Sequence, residues 1–221
     1  MKVLVIAPHP DDEVLGVGGT IAKRVNEGHE VHVCIVTRGY PPMFNEDLIE
    51  AGVKECEIAN GQILGTYSLF FLRQPAAKLD TVPIHQIINL IQSVIQDLEP
   101  DEVYIPHRGD IHIDHKIVVD AAMVALRPKH KHKVRRILAY EVPSETGWDL
   151  PNENNAFVPN VFEDITDTLE LKIKAMNTYQ SQSEKFPGAR SPEAIRALAA
   201  YRGTTVCTGA AEAFSLIREI K

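Results

Sequence analysis

Short aliphatic runs alternate with stripes of helical spacing from the first residues onward. Val3-Leu4-Val5-Ile6 is β-branched and aliphatic and is closed by Pro8 and Pro10, the pattern of a strand buried on both faces. Residues 20–27 then read as a helix ending at Gly28, and 31–36 as a second strand, so the chain opens with a strand, helix, strand unit. The alternation continues. Residues 38–45, with two prolines and a glycine, predict a loop at the end of the second strand, where open parallel sheets place their ligands. A helical stripe covers 46–63 and stops at Gly65, and 67–72 reads as a short strand. Ile84, Ile87, Ile91, Val94, Ile95 and Leu98 form one face of a helix over 82–98, with Pro83 near its first turn and Pro100 beyond its end. Strands over 103–105 and 137–142 flank a helix over 114–126.

The later part is less regular. Residues 144–160 lack periodicity, hold Trp148, and are longer than most connections in a compact domain, as functional rims often are. Asp164-Ile165-Thr166-Asp167 predicts the capped start of a helix reaching Gln180, and Ser191-Pro192-Glu193 caps another reaching Tyr201. Residues 210–220 fit a helix or an edge strand equally well. The basic stretch Pro128-Lys129-His130-Lys131-His132-Lys133 reads as a solvated loop, with metal or anion binding as the sharper alternative.

Composition narrows the function classes. At 221 residues, 44% hydrophobic and 24% charged, the chain fits one soluble domain spanning 1–221. No apolar run approaches the roughly 20 residues of a membrane span, and the five-residue run after Lys2 is too short for a secretory core, which predicts a cytoplasmic protein without a membrane partner. A net charge of -7 argues against nucleic acid, because phosphate contacts need a basic surface. Cys34, Cys56 and Cys207 form neither a CxxC pair nor an even set, so reduced thiols are expected.

Two polar clusters follow strand-like runs. His9, Asp11, Asp12 and Glu13 come after the first; His107, Asp110, His112, Asp114 and His115 come after the strand at 103–105. His9, Asp12 and His115 are a donor set suited to zinc, which takes imidazole and carboxylate ligands and leaves a position open in catalytic sites. Taken alone, the first cluster is read equally well as a helix N-cap with a solvated turn. The second cluster, at another strand end, favours a shared metal pocket.

Pro8-His9-Pro10-Asp11-Asp12-Glu13 with Gly18-Gly19-Thr20, and then His112-Ile113-Asp114-His115, resemble the two signature motifs of the PIG-L/LmbE-like family of zinc-dependent N-deacetylases. The similarity extends to Thr37-Arg38-Gly39, to the segment from Pro159 through Ile165, and to Tyr179-Gln180-Ser181-Gln182. The resemblance implies a Rossmann-like α/β fold, a mostly parallel sheet with helices on both faces, that removes acetyl groups from an N-acetylated amino sugar or its conjugate. It implies His9, Asp12 and His115 as Zn2+ ligands, Asp11 as general base, His112 as stabiliser of the tetrahedral intermediate, and Asp114 as the partner that orients and charge-balances His112. Glu13 would stand behind the ligands. A homo-oligomer, trimer or hexamer, is also implied. The chain departs from the family where some members carry Tyr and this one has Asp110, and the Arg often paired with Glu in the second helix has no clear match.

The chemistry suits these residue types. Amide hydrolysis needs an activated water, a stabilised oxyanion and a proton for the departing amine. Zinc lowers the pKa of bound water to about 7 and polarises the carbonyl, Asp11 shuttles the proton, and a His112 kept cationic by Asp114 faces the oxyanion. Arg38, Trp148 and Asp110 are candidate substrate contacts, with Asn152, Asn154, Asn155, His107 and Arg108 further candidates at the rim. Two other readings compete. A nucleotide-binding Rossmann enzyme is suggested by Gly16-Val17-Gly18-Gly19, but that run does not fit GxGxxG and the acidic turn before it would repel a pyrophosphate. A non-catalytic metal- or sugar-binding protein of the same fold is the other.

Overall fold

The computed structural model describes residues 1–129 and 133–221. Seven strands form one sheet: β1 (Lys2–Ala7), β2 (Glu30–Arg38), β3 (Ser68–Pro75), β4 (Glu102–Pro106), β5 (Arg136–Tyr140), β6 (Val161–Asp164) and β7 (Ala211–Glu219). Their order is β3-β2-β1-β4-β5-β7-β6. The first five are parallel, and β7 pairs antiparallel with β5 and β6. This is the mostly parallel α/β sheet expected, with helices on both faces.

The alternation of β1 sends its side chains to two cores. Val3, Val5 and Ala7 join one cluster with Val14, Val17 and Ile21 of α1 (Asp12–Asn26) and Ile173 of α5 (Leu169–Met176). Leu4 and Ile6 join the other with α3 (Ile84–Leu98) and α4 (Ile113–Ala125). A strand covered on both faces needs no polar alternation, which is why it reads as a continuous apolar run. Truncating a fully buried residue such as Ile6 to Ala costs about 2–5 kcal/mol.

The glycines of α1 serve packing. A Cβ on Gly16 would overlap the Tyr140 ring, and one on Gly19 would lie 2.7 Å from Ile165. The helix therefore seats directly against β5 and the segment after β6, and Tyr140 OH donates to the Ile6 carbonyl at 2.9 Å. Close approach, without phosphate binding, accounts for the glycine run that motivated the nucleotide reading.

Several expectations need correction. The first helix begins at Asp12, eight residues before the expected start at 20. The helical stripe over 46–63 divides into α2 (Glu46–Glu57) and a π-helical turn, Ile58–Leu64, closed by Gly65 at φ 74°. Asp164 ends a strand. Its Oδ1 accepts from Thr166 N and Oγ1 at 2.9 and 2.6 Å, so the cap-like pattern is an Asx turn and the helix waits until Leu169. The pairing of β6 with β7 that overrides the local pattern is non-local, Val161 lying opposite Phe214. Within 210–220, Ala211–Glu219 form β7, a strand between β5 and β6 and not at an edge, and Ser191 caps α6 (Pro192–Thr205) as expected, accepting from Ala194 N. His130, Lys131 and His132 lie outside the described residues. Cys34 and Cys56 are buried and Cys207 exposed, all as free thiols. No helix among the described residues is long and apolar enough to cross a membrane.

Candidate active site

The carboxyl ends of β1 and β4 are neighbours in the sheet, and chain direction reverses its sideways progress there, from β1 outward to β3 and back to β4. Such a switch point opens a crevice. The turn after β1 and the N-terminus of α4 both empty into it. Pro8 stops the first strand, and its carbonyl accepts from Thr37 N and Oγ1 at 2.9 and 2.7 Å, which ties the turn to the end of β2. His112 caps α4 by accepting the Asp114 N–H on Nδ1 at 3.1 Å.

His9, Asp12 and His115 come together. Their donor atoms lie within 4.8 Å of one another. Asp12 Oδ2 sits 3.2 Å from His9 Nδ1 and 3.2 Å from His115 Nε2. Behind each imidazole stands a second carboxylate: Asp110 Oδ2 at 2.8 Å from His115 Nδ1, and Asp114 Oδ2 at 3.1 Å from His9 Nε2. Asp110 is itself held by Thr146 Oγ1, and Asp114 accepts the Ala77 and Leu79 N–H groups. These carboxylates fix ring orientation and tautomer.

A cation fits this set. Among the described residues the buried His115 Nε2 makes no hydrogen bond, its 3.2 Å approach to Asp12 Oδ2 being an ion-pair contact alone, although its other nitrogen is bound to Asp110. An oriented imidazole nitrogen without a hydrogen bond, beside a carboxylate and a second imidazole, is the donor chemistry of a zinc-type ion. Burial lowers the His9 and His115 pKa values, but the surrounding carboxylates outweigh it and raise them to about 9 and about 10. Burial also raises Asp12, yet His115 and His9 pull it well below the ordinary carboxylate range.

Asp11 faces differently. It stands at the cap position of α1 but makes no cap bond, so the bland reading of this turn as a helix cap fails. Its φ of 111° is a conformation that non-glycine residues adopt at a cost of order 1–3 kcal/mol. Its Oδ2 accepts from Arg190 Nε at 3.0 Å. Burial, then Asp12, pushes the Asp11 pKa up to about 8 against the opposing pull of Arg190.

Asp114 and Asp110 make contacts other than the expected ones. The Asp114 carboxylate is committed to His9 and two backbone N–H groups, and only its own backbone N–H reaches His112. Burial, then the neighbouring His9, lowers the His112 pKa to about 4, with the Asp114 charge pulling the other way. With Nδ1 accepting, its Nε2–H is the donor. Asp110 is no substrate contact, being fully buried against His115.

A cavity of about 620 Å³ opens from His9, Asp11 and His112 toward Arg38, Phe44 and Phe71, within the range of small-molecule sites. Arg38 lines it, with its Nε buried and, among the described residues, without a hydrogen bond, and its Nη2 3.6 Å from Glu46. Trp148 does not line it: it is 66% exposed, neither a pocket wall nor a buried anchor. Arg108 pairs with Asp120 at the surface, His107 binds the Asn155 carbonyl, and the asparagines at 152, 154 and 155 bond within their own loop. The rim loop contributes Glu145 instead. Arg190, Tyr179, Asn60 and Glu145 were not anticipated. Only the family-like Tyr179-Gln180-Ser181-Gln182 segment signalled any of them, because nothing local links residues that lie 47 to 179 positions from their partners in the turn.

The profile of the PIG-L family, GlcNAc-PI de-N-acetylase, matches residues 4–126. The uncharacterized deacetylase YaiS of Escherichia coli K12 is 28% identical over 81% of this chain and 90% of its own length. The diacetylchitobiose deacetylase of Thermococcus kodakarensis is 27% identical over 91% of this chain and 78% of its own. Among solved structures, the conserved protein TT1542 of Thermus thermophilus superposes with a TM-score of 0.80 at 28% identity, covering 99% of this chain and 96% of that one.

Proposed function

Because the chain belongs to the PIG-L family, we propose that it is a metal-dependent deacetylase that hydrolyses the acetamido group of an N-acetylglucosamine-type sugar or its conjugate, releasing acetate and the free amine. The observation that carries the reading is the division of labour at one turn: His9, Asp12 and His115 converge as a donor set while Asp11, between two of them, stays outside it and lines the cavity.

His9, Asp12 and His115 would hold the ion, which we read as zinc. When bound, it supplies Lewis-acid polarisation of the amide carbonyl and acidifies water at the site. Asp11 takes the proton of the attacking water as the new C–O bond forms. It returns that proton to the nitrogen as the C–N bond breaks, so that the amine leaves neutral. His112 offers its Nε2–H to the developing oxyanion as a neutral donor. Asp110 and Asp114 would hold the two ligand rings in place for the ion, and Arg38 would face the sugar or its substituent from the cavity wall.

The remaining expectations belong to the same proposal: a single functional unit over 1–221, acting in the cytoplasm as a homo-oligomer, trimer or hexamer, on a small molecule, with neither nucleic acid nor membrane as partner. Acetate release from a panel of N-acetylglucosamine derivatives tests the activity. The expected result is turnover that is abolished by a chelator and restored by zinc. Turnover surviving complete metal removal would refute the mechanism.

A further inference from the structure

The mechanism leaves unused a buried carboxylate, Glu13, and the Tyr179-Gln180-Ser181-Gln182 segment. They meet behind Asp11. Glu13 Oε2 accepts the Asp11 backbone N–H at 3.1 Å, and Glu13 Oε1 accepts Tyr179 OH at 2.5 Å and Asn60 Nδ2 at 2.8 Å. All three of these side chains are fully buried. The peptide they pin is the one whose φ of 111° L residues rarely adopt. Without that anchor the turn has a lower-strain alternative, and Asp11 would leave its place beside the donor set.

The same stretch of chain reaches Asp11 from its other end. Arg190 Nε donates to Asp11 Oδ2 at 3.0 Å, while its remaining nitrogens lie 3.9 Å from Glu145 and 3.7 Å from Glu184. Between the two contacts the segment is tied down. Ser181 N and Oγ donate to the Glu55 carboxylate at 3.2 and 2.7 Å, and Arg190 N donates to Glu184 at 3.2 Å. Among the described residues Asp11 Oδ1 makes no hydrogen bond. One carboxylate oxygen is therefore held and the other left to the cavity.

We propose that residues 179–190 act as a clamp that positions the proton-transfer carboxylate, Tyr179 working through Glu13 on the Asp11 backbone and Arg190 directly on its side chain. The carboxylate must stand within hydrogen-bond reach of both the water and the departing nitrogen, and such geometry is lost with small displacements. Tyr179, Glu13 and Arg190 are positioning residues, and the inference rests on the reading of Asp11 as general base.

Tyr179→Phe removes one hydroxyl and keeps the ring that packs in the core. The expected result in the metal-loaded full chain is a kcat reduced roughly 10- to 100-fold, with KM and bound-metal stoichiometry unchanged. In an Asp11→Asn background the same substitution should alter the residual rate by about twofold at most, because its effect passes through Asp11. Arg190→Lys should retain more activity than Arg190→Met. A crystal structure of metal-loaded Tyr179→Phe should show the Asp11 turn displaced. An undisturbed turn, an unchanged kcat, or an equal loss in both backgrounds would overturn the clamp. Absence of acetate release by the unaltered protein would instead remove the deacetylase reading, and the crystal structure would still decide whether Tyr179 positions Asp11.

Discussion

Asp11 and Asp12 are adjacent, equally buried and chemically identical, yet the fold gives them opposite properties. Asp12 points one oxygen at two imidazoles, whose influence exceeds the cost of burial and holds it ionised. Asp11 points away from them to a single guanidinium, and burial beside Asp12 raises it to about 8. A ligand must stay ionised, whereas a proton carrier must exchange near neutrality. The difference comes from which way the turn sends each side chain, and the strained φ of Asp11 is the means.

The comparison breaks most sharply under paired substitution. Asp12→Asn is expected to lose the metal and all turnover, while Asp11→Asn keeps the metal and loses roughly 10²- to 10⁴-fold in kcat. Metal content by mass spectrometry alongside acetate release tests the pair, and equal metal loss in both would erase the distinction. Next in size is the support behind the ligands. Asp110→Asn, which weakens the hold on His115, should lower metal affinity roughly 10- to 100-fold in chelator competition, with the fold intact. An unchanged affinity would make Asp110 incidental.

The pH dependence of stability is a smaller effect with a definite sign. His9 and His115 rise from 6.5 in the free state to about 9 and about 10 when folded. Their contribution is thus complete below pH 6.5 and is lost as pH rises through 9–10. Asp11, raised from 3.8 to about 8, penalises the fold increasingly from pH 3.8 to about 8 and no further above that, which is the same direction where the two ranges overlap. Chelated protein should therefore show a Tm that declines from pH 6.5 toward 10, and zinc-loaded protein a flatter profile, since bound imidazoles are already neutral. Parallel profiles would mean that the two histidines do not hold the ion. Smallest of all is Trp148→Ala: an exposed side chain outside the cavity should change stability by no more than about 0.5 kcal/mol and leave kcat/KM alone.

Much of the frame was legible beforehand. β1 to β5 and α3, α4 and α6 follow from apolar periodicity and caps because their signals are local, and β1 is buried on both faces as its composition says. The early start of α1 was hidden because Asp11 caps nothing, and β6 was hidden because its hydrogen bonds come from β7, far along the chain. At the site, motif spacing identified His9, Asp12 and His115 as a group. It did not reveal that the Asp114 carboxylate faces His9 and that Asp110 faces His115, since no spacing rule says which imidazole a carboxylate will face.

The amino-acid order alone determined the alternation of strand and helix, the placement of two polar clusters at strand ends, and the donor types suited to a zinc-type ion, all of which depend on residues near one another in the chain. Only the tertiary structure decided that β1 and β4 lie side by side, that Asp110 serves His115 and Asp114 serves His9, and that Tyr179 and Arg190 close on Asp11 from the far end of the chain. Orientation and burial set the pKa of a carboxylate and the direction of its hydrogen bonds, and both are properties of the packed chain.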